Sequence, residues 1–551
     1  MIAGLLLLAL AGSQAIAISR KTLTNDELVH IPAGYYYWTT GDFRFNSEHP
    51  PLVKMWAALP LLLLSRPDAL PPDAGVPQQR WDFYGLFWQQ RAADFVRLAF
   101  WPRIMMIPIA VALGFLIFLY ARKLFGATAG LFALALYCLE PTMLAHGRMV
   151  HTDVAGALSF LGFFYLLHRY KEKRGLPRAV WLAVGTAAAL LTKFSMVIVG
   201  VVLGVTLVAE LVKARGTERG PAVGRLVAAG LLILILINSA YFFQHPALND
   251  TDRSIIKGQQ QFAITMARAI PTLRHVLPTY FLFGMYNVMA HNEYGHATSL
   301  LGMQSLMGWW YYFPVAFALK TTIPFLLTSI AALAWGVYTA LRNRSLPHMA
   351  LLVPIGVYCA ISLTSHINIG IRHFLPVFPF LLILSGGLLQ ALTRRWRKGG
   401  VAVVVAVLGW CTVEAALAFP NYTAYVNEFA RGGGWRYLSD SNVEWGDDAQ
   451  DLAVYLKARG VTTARCALLG GWMTMGYLGI QCPDLYGVDG PLPPSGYAAV
   501  GASSLNGSTV PTGDPGTLRG TEEKRVNYFA AYRDRKPEAI LGGSIYLYKL
   551  P

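Results

Sequence analysis

Charge is scarce in this sequence: 14% of its 551 residues are Asp, Glu, Lys or Arg, against about a quarter in a soluble globular chain. That shortage, with 55% hydrophobic residues and a mean hydropathy of +0.43, excludes an ordinary soluble domain and points to a polytopic membrane protein. Cysteine is scarcer still. Five residues exclude a disulfide-dense secreted scaffold, and none of their spacings resembles a zinc ligand set. Internal repeats and low-complexity tracts are absent. The net charge of +16 would suggest nucleic acid in a soluble protein; in a membrane chain the first question is where the charges sit.

Eleven apolar runs approach the length of a bilayer core, near residues 2–18, 104–120, 124–139, 154–167, 179–192, 194–212, 226–243, 313–340, 349–363, 374–392 and 400–419. Residues 1–18 read as a retained first span. Ala15-Ile16-Ala17 resembles a signal-peptide cleavage site, but no Lys or Arg precedes the apolar run. With a cytoplasmic N-terminus, the loops 121–125, 168–178, 213–225, 342–348 and 394–398 face inward. They hold 17 of the 46 Lys and Arg with only two acids, Glu172 and Glu218. In the remainder 29 bases meet 28 acids, so the excess charge is a topology signal and argues against a nucleic-acid partner.

The expected fold is therefore an all-α polytopic membrane protein of about 11 transmembrane helices. Residues 1–419 form the membrane part, with large outer loops at 19–103 and 244–312. In the first of these, the aromatic run Trp81–Trp88 suits a helix lying at the membrane–water interface. After Phe419 Gly, Asp, Ser and Pro rise, and residues 420–551 read as a small soluble α/β C-terminal domain on the outer side. There Asp447 to Arg459 reads as a helix and Ser544 to Tyr548 as a strand. Cys466 and Cys482 lie in that region, where a disulfide and two free thiols are both open.

The first outer loop gathers acids, imidazoles and an ammonium: Asp26-Glu27, His30, Tyr35-Tyr36-Tyr37-Trp38, then Glu48-His49-Pro50-Pro51-Leu52-Val53-Lys54. A carboxylate there can take a proton from a hydroxyl, and His and Lys can neutralise a phosphate. A solvated loop whose Pro-Pro starts a helix would show the same residues. Lys320 falls inside an apolar run, where an ammonium costs roughly 2.5–3.5 kcal/mol unless it is paired, faces water or snorkels. Asp153 stands at the outer end of the fourth run, where it either serves a site or complements a helix dipole. His291 and His296 flank Glu293, but their spacing of five does not match the i, i+4 face of a zincin.

Asp26-Glu27-x-x-His30 with Ala33-Gly34-Tyr35, followed by His49-Pro50-Pro51-Leu52-x-x-Lys54, resembles the first luminal or periplasmic loop of protein O-mannosyltransferases and the related lipid A aminoarabinose transferases. These are membrane-embedded glycosyltransferases of the C type that use polyprenyl-phosphate donors. The resemblance is supported by Gly147-Arg148-x-x-x-Thr152-Asp153, by Gly308-Trp309-Trp310-Tyr311-Tyr312-Phe313-Pro314 leading to Lys320, and by Gly370-x-Arg372-His373-x-Leu375-Pro376. It departs from the aminoarabinose transferases at His49, where they carry Lys, and from eukaryotic mannosyltransferases in a 244–312 loop too short for a β-trefoil insert. Tyr437 to Gly446 looks like a segment after the last span of bacterial relatives; Asp440, Asn442 and Glu444 there either contact acceptor or form Asx turns.

The resemblance implies an inverting glycosyltransferase that moves a sugar from polyprenyl phosphate to an acceptor hydroxyl on protein, lipid or glycan. Asp26 is the implied base, and Glu27 its catalytic or orienting neighbour. Candidates for holding the donor phosphate or substrate are Glu48, His49, Lys54, Arg148, Asp153, Lys320, Arg372 and His373. No cofactor is certain and a divalent metal is open. The expected partners are the donor, the acceptor and membrane lipid, in a bacterial-type inner membrane with the site extracytoplasmic. The alternative reading is a transporter or flippase of lipid-linked or soluble sugars, for which matching broken helices in an inverted repeat are not found in the sequence.

Overall fold

The computed structural model describes residues 1–64, 80–256, 261–485, 495–509 and 526–551. Among these, eight stretches are long and apolar enough to cross a membrane: Ile2–Arg20, Ala92–Phe125, Phe194–Lys213, Gly216–Ala240, Ile323–Asn343, Leu346–Leu363, Ile371–Arg395 and Arg397–Ala418. All eleven expected runs lie in helices; three of these helices are shorter or more charged than those eight. The runs at 124–139 and 179–192 form helices of 13 and 17 residues, Ala127–Leu139 and Leu176–Thr192. Such helices rise too little to span a full hydrocarbon core unaided. The run at 154–167 lies in the 20-residue helix Asp153–Glu172, whose ends carry Asp153, Arg169, Lys171 and Glu172.

The run at 313–340 is not one helix. It breaks at Thr321-Thr322 into α1 (Tyr312–Lys320) and α2 (Ile323–Asn343), with both threonines extended and Pro324 opening the second piece. Non-helical backbone at membrane depth must find partners inside the protein. They come from the chain after the last span: Asn427 Nδ2 donates to the carbonyls of Ala318 (2.6 Å) and Thr321 (2.9 Å), and Asn427 N–H donates to that of Leu319 (2.9 Å).

The first outer loop folds as a separate layer of helices, Glu27–Thr40, Leu52–Ala58 and Arg80–Gln89. Gly34, from the Ala-Gly-Tyr motif, sits where a Cβ would come within 2.0 Å of the Lys54 carbonyl, so only glycine allows the first two of these helices to meet. The helix expected at Trp81–Trp88 exists, but its rings are not spread on an interface. Phe83 is buried 4.2 Å from Phe45 and 4.4 Å from Tyr36 between ring centroids, within a core of Tyr37, Phe43 and Phe87.

Beyond residue 420 a four-stranded sheet forms from β1 (Arg465–Ala467), β2 (Gly496–Gly501), β3 (Ala539–Leu541) and β4 (Ile545–Leu550), in the order β1-β2-β4-β3. Only the β1–β2 pair is parallel. The expected helix is Ala449–Lys457 and the expected strand is β4. Helix residues Leu452 and Leu456 pack with Cys466, Ala499 and Leu547 of the sheet. Cys466 and Cys482 are joined as a disulfide.

Replacing Asn427 by Ala leaves two carbonyls at the α1–α2 break without a donor, at about 1–3 kcal/mol. The detergent-solubilised variant is expected to melt below the parent protein, and an unchanged melting temperature would count against this account of the break.

Candidate active site

Asp26 ends the turn that opens the first outer-loop helix, and its position is set by the C-terminal part of the chain. Thr22 N–H donates to the Asp447 carbonyl (3.1 Å) and Asn25 N–H to that of Trp445 (2.8 Å). The next residue is fully committed. Glu27 Oε2 accepts from the Thr24 amide (2.8 Å) and hydroxyl (3.0 Å), a capping box. Its Oε1 accepts from Val150 N–H (2.8 Å) and stands 3.3 Å from Arg103 Nε. Glu27 is fully buried, and its carboxylate holds the turn on which Asp26 stands.

The Asp26 side chain is 22% exposed and faces Arg372 across 3.2 Å. Arg372 Nη1 also lies 3.7 Å from Asp153 Oδ2, and Asp153 Oδ1 pairs with Lys193. Charges thus alternate along a line, Asp26, Arg372, Asp153, Lys193, of which only the first reaches the surface appreciably. Arg372 Nε–H donates to Ser441 Oγ at 2.9 Å, and the guanidinium stacks over Trp445 at 4.4 Å. Asp153 Oδ2, His49 Nδ1 and His373 Nε2 are buried without a hydrogen-bond partner among the described residues.

Histidines pack around this line. His30 Nδ1 lies 2.9 Å from the Val150 carbonyl, and its ring meets His49 edge-on at 5.5 Å. His151 Nδ1 lies 3.1 Å from both the Asp153 amide and Asp153 Oδ2, and its Nε2 lies 3.2 Å from His146 Nδ1. Burial pulls His30 and His151 down to about 4 against the attraction of nearby aspartates, and puts His49 and His146 well below their ordinary value. These rings are neutral polar groups at pH 7 and not a reserve of positive charge.

Three of the expected phosphate ligands are bonded to other groups of the protein, although Arg148 Nε and Nη1 have no hydrogen-bond partner among the described residues. Lys54 is buried, with its Nζ among Tyr37 Oη (2.9 Å), Asn46 O (2.6 Å), Asn46 Oδ1 (2.9 Å) and His49 O (2.8 Å). Desolvation holds its pKa well below the usual lysine value. Three N–H donors facing four oxygens leave none for a ligand, and Lys54 fastens the loop. Lys320 is likewise saturated by the carbonyls of Thr423 (2.9 Å), Tyr425 and Asn442 (2.5 Å). Buried Arg148 pairs with Asp447 Oδ2 at 2.7 Å. Glu48 is exposed. The site therefore retains Asp26, His49, Asp153, Arg372 and His373 from the sequence reading and adds Lys193, the lone cation between two apolar runs.

The C-terminal carboxylates are structural. Asp440 has φ 54°, its Oδ1 accepts from the Ser441 amide at 2.6 Å, and its own amide donates to Ser503 Oγ at 2.8 Å. Asn442 bridges Tyr312 Oη (2.8 Å) and Ile371 N–H (2.8 Å). Glu444 caps the amides of Leu469 and Ser503, both at 2.8 Å. Glu293 Oε1 accepts from the Ala263 amide (3.2 Å) while His291 and His296 pair at 3.0 Å. Among the described residues no three His, Cys, Asp or Glu gather closely enough to hold a metal ion.

His151 has a lowered pKa in the folded protein, so the unfolded chain binds the extra proton first and stability falls as pH drops from 6.5 toward 4. His151→Gln is expected to flatten the loss of melting temperature in that window and to leave higher pH unaffected; an unchanged slope would refute the assignment.

No curated protein matches the chain. Among solved structures, ArnT from Cupriavidus metallidurans bound to undecaprenyl phosphate is similar at 14% identity over 90% of this chain and 92% of that one, with a TM-score of 0.48. The apo form of that protein is similar at 13% identity over 99% and 97%, with a TM-score of 0.49. The Archaeoglobus fulgidus oligosaccharyltransferase, solved with Zn and sulfate, is similar at 11% identity over 93% and 70%, with a TM-score of 0.49. Residues 97–240 match the family model of the dolichyl-phosphate-mannose-protein mannosyltransferases, a segment that contains Arg148, Asp153 and Lys193. Over residues 97–240 the resemblance first read from sequence motifs is borne out, and this part of the chain is similar to the dolichyl-phosphate-mannose-protein mannosyltransferases.

Proposed function

We propose that the protein is an inverting glycosyltransferase that moves a sugar from a polyprenyl-phosphate donor to an acceptor hydroxyl at the membrane face opposite the basic loops. The observation that carries this reading is the partly exposed Asp26 at the end of a buried, alternating line of charges. The acceptor O–H gives its proton to the Asp26 carboxylate as its oxygen bonds to the anomeric carbon. The bond from that carbon to the phosphate oxygen breaks, and the donor phosphodiester leaves as polyprenyl phosphate with one more negative charge. Arg372 and Lys193 supply positive charge for that group, and the unpartnered nitrogens of His49 and His373 can donate to its oxygens in the tautomers that carry a proton there. The positive-inside distribution supports an extracytoplasmic site, with residues 420–551 on the same side.

Asp26→Asn and Asp26→Ala are expected to lower transfer roughly 10²–10⁴-fold, with polyprenyl-phosphate binding retained. The assay uses purified protein, donor and acceptor in detergent, where no gradient exists and a transporter gives no turnover. Full turnover in either variant would overturn the mechanism. The donor and acceptor are identified by mass spectrometry of the glycans and lipids of a deletion strain.

The two buried lysines are expected to separate. Lys193→Gln raises the KM for donor or lowers kcat in protein that still folds, whereas Lys54→Gln lowers the yield of folded protein. Equal donor kinetics in Lys193→Gln and the parent would remove Lys193 from the site.

A further inference from the structure

At the end of the molecule that carries the basic loops, a groove of about 520 Å³ is lined by Leu124, Phe125, Trp335, Gly387, Gln390, Ala391, Arg394 and Arg395. Its walls are fixed. A Cβ on Gly387 would stand 2.8 Å from the Phe125 ring, so the missing side chain lets that ring lie against Ile371–Arg395. Gln390 locks the corner, its Oε1 accepting from Ala129 N–H and its Nε2 donating to the Phe125 carbonyl, both at 2.6 Å. Trp335 is held from behind by His348, with ring centroids 4.4 Å apart.

The chemistry of the lining is divided. Leucine, phenylalanine, tryptophan and alanine make an apolar wall along the spans, and two exposed arginines stand at its mouth. Lys123 on this face is paired with Glu172 and Arg225 with Glu210; Arg394 and Arg395, like Arg342 and Arg344, have no carboxylate partner among the described residues, and of these four only Arg394 and Arg395 line the groove. An apolar channel ending in unpaired guanidinium groups complements a molecule with an acyl chain and an anionic head. A free phosphate would leave the aromatic wall unused.

We propose that this groove binds an anionic phospholipid of the leaflet on the basic-loop side, its phosphate at Arg394 and Arg395 and a chain against Phe125 and Trp335. The site lies at the opposite ends of the spans from Asp26, so the bound lipid is a fixed component of the protein and not its donor.

The test reconstitutes the full chain in nanodiscs of phosphatidylcholine with a minority of phosphatidylglycerol, extracts it into detergent and counts retained lipid by native mass spectrometry. Phosphatidylglycerol is expected to be retained over phosphatidylcholine. Arg394→Gln with Arg395→Gln is expected to weaken that preference roughly thirty-fold, the weight of two cations facing an anionic headgroup. Trp335→Ala should weaken it with the charges intact, and Arg342→Gln with Arg344→Gln, which removes equal charge from the same face, should leave it unchanged. Equal retention of both lipids, an unaffected Arg394/Arg395 variant, or an equal loss in the Arg342/Arg344 control would overturn the proposal. Lipid retention is read without any transfer assay, so its outcome is independent of the role of Asp26.

Discussion

A buried guanidinium is tolerated only where opposite charge and hydrogen-bond acceptors meet it from several sides, and Arg372 is in that position. Its edge faces Asp26 and Asp153, its Nε is taken by Ser441, and its face lies on Trp445. These four partners come from the first outer loop, from the start of a span and from the chain after the last span. The planar fork serves all of them at once, which a lysine ammonium could not do. The site exists only when these three parts of the chain are assembled. The C-terminal segment is consequently part of the site's wall and not an appendage.

The same segment accounts for the second constraint, the interrupted helices. The α1–α2 break exposes carbonyls that Asn427 and Thr142 satisfy, and Lys320 at its edge collects carbonyls from Thr423, Tyr425 and Asn442. The break beside Lys193 turns the chain so that its ammonium meets Asp153. In both places irregular backbone costs free energy, and in both the compensation gathers charged groups at one level of the molecule. Arg148 with Asp447 and Lys21 with Asp448 add buried pairs between the membrane part and the C-terminal segment.

Much of this was legible in the sequence. Apolar runs located every long helix, and the motifs containing Asp26, Asp153 and Arg372 pointed to residues that do converge. What composition cannot disclose is which cation is already spent. Lys54, Arg148 and Lys320 look like phosphate ligands because they are positive charges near the outer face. Their partners are backbone carbonyls, an amide and a carboxylate, from the same loop for Lys54 and from beyond residue 420 for Arg148 and Lys320. Lys193 was passed over for the converse reason. It sits in a one-residue gap between two apolar runs, and its only signal was being the single charge there.

The arrangement also bears on how the proposed reaction could be accelerated. Two carboxylates and two cations leave the line neutral at rest, so it neither repels nor strongly traps an anionic donor. During transfer Asp26 loses its negative charge to the incoming proton while the departing phosphate gains one. Arg372, hydrogen-bonded to Asp26 in the resting site, is freed at the moment the leaving group needs a donor. Its other anchors are Ser441 and Trp445, which are uncharged, and Asp153, whose charge Lys193 also meets. Negative charge then passes from one side of a fixed guanidinium to the other, with little reorganisation of the surroundings, which is the condition under which preorganised electrostatics favours a transition state over the bound substrate.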